Sequence, residues 1–155
     1  MQGIEYTISN PGKRILAYIV DSVFVSITSI IVLFGIGQGD ALTGLLEYSN
    51  GDIEQIMEYI VPLVESLSII QLIVGIAYFG VIQALSNGAT PGKKLLHIRI
   101  VCIDGSEFSI LNSIFRYVIN AISMQLCFLL ALVMFFTSYK QALHDLLVKT
   151  VVVDE

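Results

Sequence analysis

Arg14, Asp21, Thr28 and Gly35 recur at intervals of seven inside an otherwise apolar stretch. Seven residues are close to two helical turns, so these four form one stripe on one helix. Arg14 sits at the mouth of the stretch, where a long side chain reaches out to phosphate. Asp21 lies about 10 Å deeper by helical rise. At that depth a carboxylate has no water, so it needs a cationic partner or a proton. The chemistry such a group offers is competition between a proton and a cation at a buried acid. A later apolar stretch carries its own polar stripe of Ser109, Asn112, Arg116, Asn120, Ser123 and Cys127. Arg116 is the natural counter-ion for Asp21. The candidate ion or proton site is therefore Asp21, Arg116, Asn120 and Thr28.

Three apolar stretches must position these groups: 15–37, 60–86 and 110–139. Each reaches the roughly 20 residues that a membrane span requires. The whole chain of 155 residues is 55% hydrophobic and 14% charged, with mean hydropathy +0.83. Soluble domains carry about 25% charged residues, so the composition selects the membrane class. A net charge of −5 argues against nucleic-acid binding. Neither of the two cysteines suggests a disulfide scaffold, and Cys127 reads as apolar filler. His97 and His144 stand alone, so no metal site is expected, and no cofactor motif is present. No nucleophile elbow of GxSxG form occurs, and nothing calls for an enzyme.

Charge placement orients the spans. Asp40, Glu47, Asp52, Glu54 and Glu58 crowd the first loop, which has no Lys or Arg. Lys13 and Arg14 precede the first span, and Lys93, Lys94 and Arg99 follow the second. Basic residues stay on the cytoplasmic side, so the N-terminus and the 87–109 connection are inside. Lys93 and Lys94 are expected among lipid phosphates. Alternation over Lys94–Ile103 reads as a strand with His97 as a structural histidine, and Thr150–Val153 reads as a second strand. The two strands are expected to pair at the inner surface. The third stretch either spans once, as a helix of about 45 Å, or folds back near Ser123–Gln125. Strand pairing and Lys140 with Lys149 favour the fold-back and a cytoplasmic C-terminus. The expectation is one all-α membrane domain over 1–155, with three or four transmembrane or in-membrane helices and a short cytoplasmic β-strand pair.

Three segments together carry a family resemblance. Arg14-Ile-Leu-Ala17-Tyr-Ile-Val-Asp21, then Thr90-Pro-Gly-Lys-Lys-Leu-Leu96 with Ile98-Arg-Ile-Val101 and Asp104-Gly105, then Gln141-Ala-Leu-His-Asp145-Leu-Leu before Thr150-Val-Val-Val153, resemble the motifs of the RDD family of small membrane proteins. The family is named for one arginine and two aspartates. The resemblance implies that Asp145 is the second aspartate and that Arg116 fills a usual basic position. Lys149 departs from the glycine common before the final threonine. It also implies a prokaryotic inner-membrane protein, with transport, and cation/proton exchange in particular, the usual suggestion.

Two functions follow from these readings. One is a small transporter or cation/proton exchanger, in which Arg14 and Asp145 form a cytoplasmic gate pair. So few helices enclose little of a path, so a homo-oligomer is expected. The alternative is a non-transporting membrane adaptor that docks a partner or anionic lipid. The same polar residues equally suit a purely structural role in holding helices in register. His144 beside Asp145 reads as a cap or surface pair.

Overall fold

The computed structural model describes residues 7–40, 43–44, 52–126 and 135–155. Helix α1 spans Pro11–Gly35, with Pro11 in the first turn, where a missing N–H costs nothing. Helix α2 spans Ile53–Gly75 and continues as a π-helical stretch, Ile76–Ile82, and a last α turn, α3, Gln83–Leu85. Short helix α4, Pro91–Leu95, leads into strand β1, Ile98–Cys102. Helix α5 covers Ile110–Leu126, short helix α6 covers Leu143–Leu147, and strand β2 covers Thr150–Asp154.

The chain divides into two compact units, Met1–Ser22 with Gly75–Glu155, and Val23–Val74. In the second unit Leu33, Leu63 and Ile70 form a buried cluster, with Leu67 and Val74 against it. In the first unit the core is Ala17, Ile98, Ile100 and Val152, with Leu96 and Phe108 packed on it.

The strand pair expected from sequence is present. β1 and β2 are antiparallel, with Ile100 opposite Val152 and Cys102 opposite Thr150. Ile8 adds a bridge to Val153, so the start of the described chain lies along the edge of β2 opposite β1. β1 begins at Ile98 rather than Lys94, because Thr90-Pro91-Gly92 starts a helix. Thr90 is its N-cap and Pro91 sits in its first turn. His97 precedes the strand in a left-handed turn conformation, φ 52°.

Among the described residues two helices are long and apolar enough to cross a membrane, Pro11–Gly35 and Ile56–Leu85. Only 22% and 11% of their most apolar windows are buried. Ile19, Val23, Phe24, Ile27 and Ile31 on α1 are all exposed. A soluble core helix would bury that face, so the exposure marks lipid contact.

Of the third apolar stretch the structure describes α5, helical through Leu126, and the residues from Phe135 on. The Lys140 carbonyl accepts a hydrogen bond from Arg14 at the start of α1. The expected choice between a single crossing and a fold-back falls on what lies between. Residues 127–134, including Cys127, lie outside the described residues, as does Glu47 of the acidic loop.

Candidate functional site

Asp21 is 1% exposed and fully engaged. Tyr78 Oη donates to its Oδ1 at 2.8 Å, and the Gly92 amide donates to the same oxygen at 2.8 Å. Thr90 Oγ1 donates to Oδ2 at 2.5 Å. Tyr78 comes from the π-helical stretch, Thr90 is the N-cap of α4, and Gly92 lies in its first turn. The exposed N–H groups at the start of a helix favour an anion there. Gly92 is required by space: a Cβ on it would lie 2.7 Å from Asp21 Oδ1 and 2.6 Å from the Ala17 carbonyl.

The expected Asp21–Arg116 pair is therefore not formed. Neither Arg116, Asn120 nor Thr28 donates to the carboxylate. Thr28, in the second unit, donates its hydroxyl to the Phe24 carbonyl of its own helix at 2.9 Å. Arg116 turns instead to Asp145, with Nη2 2.6 Å from Oδ1. Its Nη1 donates to Thr150 Oγ1 at 3.0 Å. Both Arg116 and Asp145 are buried.

Arg14 joins the same carboxylate, Nη1 lying 3.6 Å from Asp145 Oδ2. Its guanidinium also donates to the Lys140 carbonyl at 2.5 Å and the Val152 carbonyl at 2.9 Å. Arg14 and Asp145, the two residues expected to face each other as a gate, thus lie within ion-pair distance, with Arg116 as an added partner. Asp145 also accepts from the Ala142 amide at 3.2 Å, which caps α6.

Two side chains assigned elsewhere from sequence belong to this cluster. Lys93 does not lie free among phosphates: it is half-buried, and its Nζ donates to Gln83 Oε1 at 2.7 Å. Nor is His144 a surface group. It is half-buried, with Nε2 3.4 Å from Asp145 Oδ1.

These groups surround a cavity of about 440 Å³, a size ordinary for a small-molecule site. Arg14, Lys93, Arg116, His144 and Asp145 supply its charged and titratable lining, with Gln83, Ser113 and Asn120 as polar neighbours. Tyr18, Phe79 and Tyr117 form one wall. Phe79 stacks on Tyr117 at 5.5 Å between centroids and on Tyr18 at 6.3 Å. Lys93 Nζ lies 6.0 Å from the Phe79 centroid. Ser113 donates to the Phe79 carbonyl at 2.6 Å, which anchors α5 on the π-helical stretch.

Electrostatics make the cavity cationic. Burial pushes the Asp145 carboxyl up, but Arg116, His144 and Arg14 outweigh it and hold it below its ordinary value. Burial first, with Arg116, Lys93 and Arg14 adding to it against Asp145, lowers His144 to about 4. Burial and the neighbouring Arg116 lower Lys93 to about 7, against the pull of Asp21 and Asp145. At neutral pH the histidine is uncharged, and three basic side chains face one carboxylate. Arg14 Nε is buried and has no hydrogen-bond partner among the described residues.

Sequence reading missed Tyr78, Gly92, Lys93 and Gln83 as site residues. Threonine, proline and glycine in the first turn of a helix were the available signal for Gly92, because that pattern presents free amides to an anion. The π-helical register that aims Tyr78 and Phe79 leaves no simple periodic mark.

A model of the RDD family matches residues 8–149. The chain belongs to the RDD family. Asp21, Asp145 and Arg14 all lie within the matched span, the two aspartates buried and Arg14 half-buried in the first unit. "Uncharacterized protein YxaI" of Bacillus subtilis (strain 168) is 30% identical over 144 residues, covering 90% of this RDD-family chain and 93% of that protein. No solved structure matches the chain. Among the described residues no group of three or more His, Cys, Asp or Glu is placed to hold a metal ion. The protein is an RDD-family membrane protein with a buried arginine–aspartate cluster.

Proposed function

We propose that this RDD-family protein is a small membrane transporter whose substrate is an anion, bound in the cavity around Arg14, Lys93 and Arg116. The observation that carries this reading is the charge count around one cavity: three basic side chains and one carboxylate. A monovalent cation entering that field meets repulsion, whereas an anion gains charge-assisted hydrogen bonds. Asp145 then holds Arg14 and Arg116 in place, and an arriving anion competes with it for them. Asp21, with three donors already on its carboxylate, serves as the fastening between α1 and α4.

This reading replaces cation/proton exchange at Asp21, whose premise was a facing arginine. The Arg14–Asp145 pair keeps its proposed place as a gate, now with Arg116 as the second latch. Pairing of Ile8, β1 and β2 supports both termini lying on one face. Lys13, Lys94 and Arg99 near that face favour the cytoplasm. Reporter fusions at Glu155 and in the 104–105 turn are expected to give the same cytoplasmic signal.

The experiment is flux in proteoliposomes holding a pH-sensitive dye, with chloride, phosphate, acetate and octanoate tested beside Na⁺ and K⁺. Faster movement of at least one anion than in protein-free vesicles, lost in Arg116→Gln, is the expected result. Proton movement driven by Na⁺ or K⁺ with no anion moved overturns the reading, as does no flux of any kind.

A further inference from the structure

Two chemically different sets of side chains line the cavity, and their juxtaposition narrows what fits it. One set is Arg14, Lys93 and Arg116 with Asp145. The other is the stacked rings of Tyr18, Phe79 and Tyr117, and the two sets meet where Lys93 Nζ lies 6.0 Å from the Phe79 centroid. Ile15, Ile19 and Phe135 line the same cavity and are 41%, 51% and 54% exposed, so they form its rim. Ile15, Tyr18 and Ile19 belong to a helix of membrane-spanning length, so that rim opens toward acyl chains rather than bulk water.

A small hydrated anion would engage only the basic side chains and make no use of the aromatic wall or the apolar rim. A cationic amphiphile would suit the wall but not the charge. An acidic headgroup joined to an aliphatic tail suits both sets together.

We infer that the cavity holds one amphiphilic anion, its phosphate or carboxylate headgroup between Arg14, Arg116 and Lys93 and its tail along Tyr18, Phe79 and Tyr117. The tail leaves past Ile15, Ile19 and Phe135 into the hydrocarbon. Arg14 and Arg116 offer planar donor pairs that suit phosphate or carboxylate oxygens, and Arg14 Nε is a donor without an acceptor among the described residues. Lys93 adds a point charge already steered into place by Gln83. The inference rests on the anion reading above and names its substrate class.

Native mass spectrometry of the full chain from nonionic micelles tests it. The probes are dodecyl phosphate, two-chain phosphatidate, dodecyltrimethylammonium and inorganic phosphate. One dodecyl phosphate or one phosphatidate retained per chain, at least tenfold over both controls, is expected. Preference for the single-chain probe identifies a free amphiphile, and preference for phosphatidate identifies a membrane lipid. Ile19→Trp, at a rim position that already faces lipid, fills the tail path and lowers retention at least tenfold. Lys93→Gln weakens retention without stranding Asp145, whereas Arg116→Gln risks the fold. If inorganic phosphate is retained as well as dodecyl phosphate, the tail claim falls and the anion reading stands. If dodecyltrimethylammonium is retained equally, both fall.

Discussion

Arg116 Nη2 lies 2.6 Å from Asp145 Oδ1, joining the middle of α5 to the first turn of α6. Neither residue is near the other in sequence, and both are buried. Two charges withdrawn from water need close geometry and further hydrogen bonds to be tolerated. Thr150 and Ala142 supply those hydrogen bonds, and Arg14 adds a second cation 3.6 Å from Asp145 Oδ2.

Removing one partner of that pair strands the other. Asp145→Asn or Arg116→Met is expected to cost about 3–5 kcal/mol each. The double variant Arg116→Met with Asp145→Leu should cost clearly less than the sum of the two. Unfolding titrations in mixed micelles measure this. Simple additivity would mean that the pair is not coupled.

The fastening at Asp21 makes a different forecast. Gly92→Ala places a methyl against Asp21 Oδ1 and breaks the amide hydrogen bond, a loss of about 1–3 kcal/mol. Asp21→Asn keeps one acceptor oxygen for Tyr78 or Gly92 and should be milder than Asp21→Leu. Because Asp21 is outside the cavity, Asp21→Asn protein that folds should still bind dodecyl phosphate. Loss of binding with an intact fold would return Asp21 to the substrate site.

Stability should depend on pH through His144. Its folded value, about 4, lies below its ordinary 6.5. Between those values the unfolded chain takes up a proton that the folded chain refuses, so stability rises with pH across this window. Asp145 acts in the same sense but lower: its contribution is present above its ordinary 3.8 and is lost as pH falls through its depressed value. His144→Gln should flatten the slope between about pH 4 and 6.5 and leave the more acidic limb. An unchanged slope in that variant would place the titration elsewhere.

Lys93 sets a second pH window. With its value brought from 10.5 down to about 7, the empty cavity loses one positive charge as pH rises through neutrality. Burial first, then Arg116 and Arg14, drives the proton off, and Asp21 and Asp145 hold it. A bound headgroup also holds it, so dodecyl phosphate retention should weaken as pH rises above about 7, with the midpoint displaced upward in the complex. Lys93→Met should bind more weakly and show no such step. A titration curve identical in that variant would assign the step to another group.

Much of the fold was legible because membrane composition and alternation leave plain marks. The long apolar run of α1, the second run ending near Ser86, and the pairing of Ile98–Cys102 with Thr150–Asp154 all followed from hydropathy and β-branched residues. The site was half legible. Arg14, Asp21, Arg116 and Asp145 were singled out, and Arg14–Asp145 was paired correctly. Asp21 was given the wrong partner because charge and depth alone cannot separate two buried carboxylates competing for one arginine. Asp21 is satisfied by neutral donors, one of them a backbone amide whose mark in the sequence is only the Thr90-Pro91-Gly92 helix start. The π-helical stretch shifts Tyr78 and Phe79 off the α-helical wheel, so their facing was hidden as well.

The most direct measurement is a ¹³C–³¹P dipolar recoupling experiment on membrane-embedded protein labelled at arginine Cζ and loaded with dodecyl phosphate. The account predicts that Arg14 and Arg116 dephase with carbon–phosphorus distances of about 4 Å, as a charge-assisted hydrogen bond sets. It predicts no such contact for Arg99, which lies on β1 beside Glu155. Dephasing of Arg99 alone, or of none of the three, would contradict it.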